Sequence, residues 1–285
     1  MSGFISAQAT ASGTLIRHPD FRSQWASARN VDIWLPPGYE DESRRFAVIY
    51  MHDGQNLFDP KLSFAGVDWG VVEAMEHLMA QERVAGAIVV GIWNTPWRVP
   101  EYLPLRPIES SKGALARVRR ENGGPPLSDI YLRFLVEELK PFVDARYRTL
   151  PERASTSTMG SSMGGLISIY ALCQYPEVFG GAGCLSTAWP VVRKPMITYL
   201  QATLPSPGVH KVYFDRGTDA LDASYASYQR QVNQVMRAAG YREGTDWMTR
   251  VFTGADHSER AWRARVHIPL EFLLTPRGGR SADPA

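Results

Sequence analysis

Residues 160–164 of this 285-residue chain are Gly-Ser-Ser-Met-Gly, the G-x-S-x-G pattern that presents a serine as a nucleophile. A serine hydroxyl attacks a carbonyl carbon only when a neighbouring base takes its proton, and a sharp strand-to-helix turn exposes it to that base. Ser162 has a glycine two residues before it and two residues after it, whereas Ser161 has methionines there. Residues 153–159 predict a strand and residues 165–175 a helix, which is the order that this turn requires. Ser162 is therefore the candidate nucleophile, with a purely structural glycine-rich turn as the alternative.

The base that serves such a serine follows it in the chain, on a loop at the carboxyl end of a later strand. Of the six histidines, His257 alone directly follows a predicted strand, residues 247–252, and precedes a predicted helix. The others lie before the serine, within helices or at the wrong end of a strand: His18, His52, His77, His210 and His267. His257 is therefore the candidate base, and a solvated loop histidine is its alternative interpretation.

The acid that orients the histidine is expected after the strand predicted over residues 211–214, where three aspartates follow one another. Asp215 is nearest the strand and is expected to cap the turn. Asp222 is favoured over Asp219 because it lies just before the helix predicted over residues 224–239, whose N-terminal N–H groups would hold a carboxylate ionised. A simple helix cap is the alternative role for Asp222.

The elements that must position these residues alternate between strands and helices, as expected of a mostly parallel central sheet flanked by helices on both faces. The N-terminal part is strand-rich, and the apolar runs 46–51 and 84–92 indicate strands that are buried on both faces. Residues 93–127 contain six prolines and predict a long irregular segment, a lid or pocket wall. The strand entering the serine turn, residues 154–158, is unusually polar, so its hydroxyls need partners if they are buried.

The composition indicates one globular domain over residues 1–275, because 44% of the residues are hydrophobic, 21% are charged and no repeat divides the chain. Residues 276–285 are predicted to be a disordered tail. The net charge of +2 gives no reason to expect nucleic acid as a partner, and no apolar window is long enough to cross a membrane. No export signal is visible, which predicts a cytoplasmic protein, or a secreted one if a signal has been removed. Cys173 and Cys184 are predicted to be buried hydrophobes that form neither a disulfide nor a metal site.

One further run makes a resemblance specific. Residues 52–58, His-Asp-Gly-Gln-Asn-Leu-Phe, follow the first buried strand and are similar to a motif of the putative-esterase family. That family includes esterase D, the enterochelin esterases and the family 1 carbohydrate esterases, which remove feruloyl and acetyl groups. The resemblance extends from about residue 31 to residue 274 in the family order and includes Val90-Gly91-Ile92, Asn94, Arg98, Glu101-Tyr102 and residues 138–141, 160–165 and 254–257.

The resemblance implies an α/β-hydrolase fold and ester hydrolysis without a cofactor or a metal. Ser162 would be the nucleophile, His257 the base, and Asp222, by the argument above, the acid. The backbone N–H groups of Gln55 and Met163 would form the oxyanion hole, which stabilises the negative charge of the tetrahedral intermediate.

Five residues are candidates for contacting the substrate: Trp93, Asn94, Arg98, Tyr102 and Trp189. The aromatic residues among them could equally belong to the core, since large aromatic side chains are usually well buried. The resemblance fits a serine esterase acting through an acyl-enzyme on feruloyl, acetyl or other carbohydrate or siderophore esters. An acyltransferase with the same triad and a non-catalytic carbohydrate-binding member of the fold are the alternatives.

Overall fold

The computed structural model of the protein describes residues 6–10, 12–109, 112–122 and 125–276. In these residues nine strands form one sheet. Along the chain they are β1 (Ser6–Thr10), β2 (Gly13–Phe21), β3 (Arg29–Leu35), β4 (Ala47–His52), β5 (Ala87–Ile92), β6 (Thr156–Ser161), β7 (Gly181–Leu185), β8 (Lys211–Gly217) and β9 (Trp247–Phe252). Their spatial order is β1-β2-β3-β5-β4-β6-β7-β8-β9.

The sheet has an antiparallel N-terminal part and a parallel remainder. Strands β1, β2, β3 and β5 pair antiparallel in that order, and every pair from β5 through β4 to β9 is parallel. The predicted mostly parallel sheet with a strand-rich N-terminus is therefore confirmed. Strand order reverses at β4, which lies between β5 and β6, and ligand sites of open parallel sheets occur at the carboxyl ends of such strands. The 52–58 run and Ser162 follow β4 and β6, so the topology brings them to this point.

Helices cover both faces of the sheet. They are α1 (Val71–Ala80), α2 (Arg98–Tyr102), α3 (Leu105–Glu109), α4 (Lys112–Asn122), α5 (Ser128–Arg133), α6 (Lys140–Arg146), α7 (Met163–Gln174), α8 (Trp189–Val192), α9 (Lys194–Thr203), α10 (Ala226–Ala238), α11 (Glu259–Arg263) and α12 (His267–Leu274). A π-helical segment, Phe134–Leu139, joins α5 to α6. None of the helices in the described ranges has the length and apolar character that spanning a membrane requires.

Side chains along β4 alternate between two hydrophobic cores, one on each face of the sheet. Val48 and Tyr50 lie in the core that contains α5 and α7, whereas Ile49 and Met51 lie in the core that contains α1 and α12. All four side chains are at most 1% exposed. Successive strand residues point to opposite faces, so an uninterrupted apolar run is what a strand covered on both sides needs.

The predicted irregular character of residues 93–127 was wrong, because the segment contains α2, α3 and α4. Pro100 and Pro107 lie in the first turns of α2 and α3, where the backbone N–H groups have no helical partner to lose. Ile108 and Val118 are fully buried in the core that contains α5 and α7. Except for Pro276, the predicted tail lies outside the described residues.

Candidate active site

Ser162 lies at the turn between β6 and α7 with φ 55° and ψ −118°, a strained backbone conformation for a residue with a side chain. A Cβ atom added to Gly160 would lie 2.8 Å from the carbonyl carbon of Gly164, so glycine is required at that position. The Ser162 N–H donates to the Leu185 carbonyl at 2.9 Å, which ties the turn to β7. Ser162 is partly exposed, whereas Ser161 is 3% exposed. The strand, turn and helix have the order predicted from the sequence.

The polar strand that enters the turn finds its partners inside the protein. The Thr158 hydroxyl lies 3.0 Å from Nε2 of His52, and Nδ1 of the same ring lies 2.8 Å from the Tyr131 hydroxyl. His52 is fully buried, and burial lowers its pKa to about 3, so the ring is neutral at physiological pH. The Thr158 hydroxyl therefore pairs with a buried histidine, and the Thr156 hydroxyl donates to the Glu152 carbonyl at 3.1 Å, so β6 can remain central in the sheet.

His257 and Asp222 come together across 35 residues of sequence. Nδ1 of His257 donates to Oδ1 of Asp222 at 2.6 Å, and Asp222 is fully buried. Asp219 is exposed and accepts a hydrogen bond from the Thr218 hydroxyl at 2.9 Å. The structure thus places Asp222, and not Asp219, against the histidine.

The donors that hold Asp222 differ from the predicted helix N-terminus. Helix α10 begins at Ala226, and Asp222 lies within a preceding 3₁₀ helix, Ala220–Tyr225. Its Oδ2 accepts from the Gly217 N–H at 2.5 Å and from the Ser186 hydroxyl at 2.6 Å. Burial opposes the charged carboxylate, but these hydrogen bonds and the one from His257 outweigh it and lower the pKa of Asp222.

The sequence predicts that Asp215 caps a turn, and this prediction was wrong. Asp215 lies within β8, is fully buried, and forms an ion pair with Arg265, whose Nε is 3.0 Å from Oδ2. Burial is the main effect on this carboxyl and raises the pKa of Asp215, although Arg265 opposes the shift.

Two aromatic residues that the sequence analysis did not select enclose the His257 ring. Tyr225 and Trp262 make edge-on contacts with it, with ring centroids 5.5 Å and 5.0 Å away. Ser162 acts to lower the pKa of Tyr225, but burial has the larger effect and raises it to about 12, so the phenol stays protonated. Both aromatics lie within five residues of Asp222 or His257, but aromatic residues near a loop are too common to identify them from the sequence.

Gln55 and Met163 each lie in a turn that follows a parallel strand, β4 for Gln55 and β6 for Met163. Gln55 lies in a short 3₁₀ helix, Gly54–Asn56, whose two closing hydrogen bonds are donated by Asn56 and Leu57 and do not use the Gln55 N–H. Met163 is the first residue of α7, where backbone N–H groups have no helical acceptor. A Cβ atom on Gly54 would lie 2.4 Å from the carbonyl carbon of Gly91, so the turn packs directly on β5.

Asn94 and Arg98 hold the turn that carries Gln55. Asp53, which precedes that turn with φ 58°, accepts from Asn94 Nδ2 at 2.6 Å and from Arg98 Nε and Nη2 at 2.7 and 2.8 Å. Burial disfavours the Asp53 carboxylate, but Arg98 and Asn94 outweigh it and lower its pKa. The Asn94 N–H donates to the Gln55 side-chain oxygen at 3.2 Å. The two residues therefore brace this turn, and their predicted contact with substrate stays a prediction.

Two of the three aromatic residues predicted to contact substrate are buried. Tyr102 is fully buried, and its hydroxyl accepts from the Asp53 N–H at 3.2 Å. Trp189 is 1% exposed and donates to Gln229 at 2.9 Å. The prediction that these two side chains line a pocket was wrong, because they fill the core. Trp93 is partly exposed.

The chain is similar to known proteins over most of its length. The family model described as Putative esterase matches residues 23–269. The Uncharacterized protein YbbA of Bacillus subtilis (strain 168) is 24% identical over 254 residues, which cover 87% of this chain and 93% of that protein.

Two solved structures are similar in fold. A ferulic acid esterase superposes with a TM-score of 0.65 at 18% identity and covers 91% of this chain and 97% of its own. The enterobactin esterase FES from Shigella flexneri superposes with a TM-score of 0.63 at 18% identity and covers 95% of this chain and 60% of its own. These likenesses confirm the predicted α/β-hydrolase fold, and the match of the family model over most of the chain shows that the protein belongs to the Putative esterase family.

Proposed function

We propose that the protein hydrolyses carboxylic esters through an acyl-enzyme formed on Ser162. The observation that carries the proposal is the 2.6 Å hydrogen bond between His257 and the fully buried Asp222. A buried carboxylate on Nδ1 fixes the imidazole tautomer that leaves Nε2 free to accept a proton. Tyr225 lies edge-on to the His257 ring and is near enough to Ser162 for that side chain to affect its pKa, which supports placing the base beside the nucleophile.

A residue of the protein can be proposed for each step of the ester hydrolysis. Oγ of Ser162 attacks the ester carbonyl carbon while Nε2 of His257 takes its proton. The N–H groups of Gln55 and Met163 stabilise the oxyanion, and each such donor contributes on the order of 10²-fold to the rate. The alcohol leaves with the proton from His257. Water, deprotonated by the same ring, attacks the acyl-enzyme and releases the acid.

The substrates we propose are esters of an aromatic or short-chain acid with a sugar or siderophore alcohol. The similar structures support this class, since one is a ferulic acid esterase and another an enterobactin esterase. Feruloyl and acetyl groups are the first acyl groups to examine.

A hydrolysis screen over p-nitrophenyl acyl esters, methyl ferulate, acetylated xylan and a catecholate ester tests the proposal. Ser162→Ala should lower turnover by on the order of 10⁴-fold or more and leave the melting temperature nearly unchanged. Ser161→Ala is the matched control and should stay active. An inactive Ser161→Ala beside an active Ser162→Ala would contradict the assigned nucleophile, and products transferred to an added sugar instead of water would indicate an acyltransferase.

A further inference from the structure

Ser186 connects the acid of the site to a second buried ion pair. It directly follows β7, is fully buried and has φ 41°, in the left-handed region that a residue with a side chain rarely adopts. Its N–H donates to both the carbonyl and the Oδ1 carboxylate oxygen of Asp215, each at 3.0 Å. A strained residue held this firmly indicates that its side chain needs a defined position.

Three groups surround the Ser186 hydroxyl, and their chemistry fixes the direction of its proton. Oγ lies 2.9 Å from Nη2 of Arg265 and 3.1 Å from Nε1 of Trp262. Guanidinium and indole N–H groups can only donate, so both occupy lone pairs of the hydroxyl oxygen. The third group, Oδ2 of Asp222 at 2.6 Å, can only accept when ionised. The single hydroxyl proton is therefore committed to Asp222.

The charges around this hydroxyl are arranged to favour a protonated His257. Arg265 pairs with Asp215 and lies 4.0 Å from Oδ2 of Asp222, so the three groups together carry one net negative charge. A protonated His257 would neutralise that charge. Arg265 and Asp215 are at most 2% exposed, which keeps water from screening them.

We propose that Ser186 is a positioning residue for the reaction. Its hydroxyl, oriented by Arg265 and Trp262, holds the Asp222 carboxylate in the position where it accepts the hydrogen bond from His257. The inference rests on the proposed function, because it concerns the same triad. Among the described residues, the charged and titratable groups around the Asp222 carboxylate are His257, Tyr225, and Arg265 with its partner Asp215.

Ser186→Ala tests the inference, with Ser128→Ala as the control because Ser128 is also a fully buried serine but lies outside the site. Without the hydroxyl, kcat should fall about 10-fold with KM within about twofold, since a hydrogen bond to a charged group is lost. The Asp222 carboxylate should become more basic and hold protonated His257 more tightly, so the acid limb of the kcat/KM profile should move to higher pH. Ser128→Ala should change thermal stability alone.

A double-mutant cycle separates positioning from folding. If Ser186 acts through Asp222, Ser186→Ala in an Asp222→Asn background should change kcat by less than about twofold. If Ser186→Ala is too unstable to assay, Trp262→Phe removes one donor to the hydroxyl and keeps a ring beside His257. Trp262→Phe should lower kcat about threefold, and this loss should also vanish in the Asp222→Asn background.

The inference about Ser186 would be overturned if Ser186→Ala had the kcat of the wild type and the acid limb of its kcat/KM profile had not moved. It would also be overturned if the losses in Ser186→Ala and Asp222→Asn simply multiplied. Neither result would contradict the proposed function. A wild-type protein without hydrolysis that depends on Ser162 would contradict the proposed function and this inference together.

Discussion

Two buried aspartates lie at opposite sides of the site, and each has an arginine nearby, yet their environments assign them different tasks. Both oxygens of Asp53 are occupied by Arg98 and Asn94. Asp222 receives the Ser186 hydroxyl and the Gly217 N–H on one oxygen and gives the other to His257. A carboxylate whose acceptors are all paired with fixed donors holds the backbone, whereas one that keeps an oxygen for an imidazole can support proton transfer.

Electrostatics alone does not distinguish the two groups. Burial opposes both charged forms, and in both cases the local donors outweigh it and lower the pKa. The difference lies in the partner of the second carboxylate oxygen, which is a fixed donor in Asp53 and the imidazole of His257 in Asp222.

Asp222→Asn should give the larger loss. An amide cannot hold the Nδ1–H tautomer of His257, so turnover should fall by about 10³- to 10⁴-fold while the fold is retained. Steady-state hydrolysis of p-nitrophenyl acetate and a thermal melt measure both. Asp219→Asn is the matched control and should cost little, because Asp219 is exposed and contacts Thr218. Equal losses in the two variants would contradict the assignment of the acid.

Asp53→Asn should lose activity by another route. Without the negative charge of Asp53, Arg98 is no longer held, and the turn that carries the Gln55 N–H should shift. The shift removes one oxyanion donor, so kcat should fall by about 10²-fold. The melting temperature should fall as well, because a partly buried guanidinium loses its counter-ion. Asp59→Asn, in the loop that follows the turn, is the control and should leave both nearly unchanged. A lower melting temperature with unchanged kcat would mean that Asp53 supports the fold and not the oxyanion hole.

The same two regions show what the sequence can predict about such a site. Ser162, His257 and Asp222 were selected because chain order and strand ends limit where a triad can lie. The role of Asn94 and Arg98 in holding Asp53 cannot be read from the sequence, because the fold brings residues 41 and 45 positions apart together. Ser186 was missed because its partners lie 36 and 79 residues away and meet it only through the sheet topology.

The parallel sheet followed from apolar runs such as residues 46–51, whereas the helices within residues 93–127 were obscured by prolines that first turns tolerate. The assignment of that segment as a lid or pocket wall stays a prediction.

The smallest effect concerns His52, the buried ring next to Asp53. Burial lowers its pKa from 6.5 to about 3, so the unfolded chain binds a proton that the folded protein does not. The free energy of unfolding should therefore fall as pH decreases from about 6 to 4, by up to about 1.4 kcal/mol per pH unit from this group. Asp53 and Asp222 have lowered carboxyl pKa values and add to the loss only below about pH 4.

Denaturant unfolding at several pH values measures that slope. His52→Gln should flatten it between pH 6 and 4, whereas His77→Gln, at an exposed position, should not. The pKa values of His18 and His267 are also lowered, so some slope should remain in His52→Gln. An unchanged slope in that variant would show that His52 is not held neutral.

Trapping the acyl group tests the acyl-enzyme mechanism most directly. The protein is mixed with p-nitrophenyl acetate, quenched with acid within the first turnover and digested, and the peptides are analysed by mass spectrometry. We expect an acetyl group on Ser162, released p-nitrophenol in equal amount, and no acetylated peptide from Ser162→Ala. An active protein whose acetyl group lies on another residue, or that releases product without any acylated peptide, would contradict the acyl-enzyme mechanism.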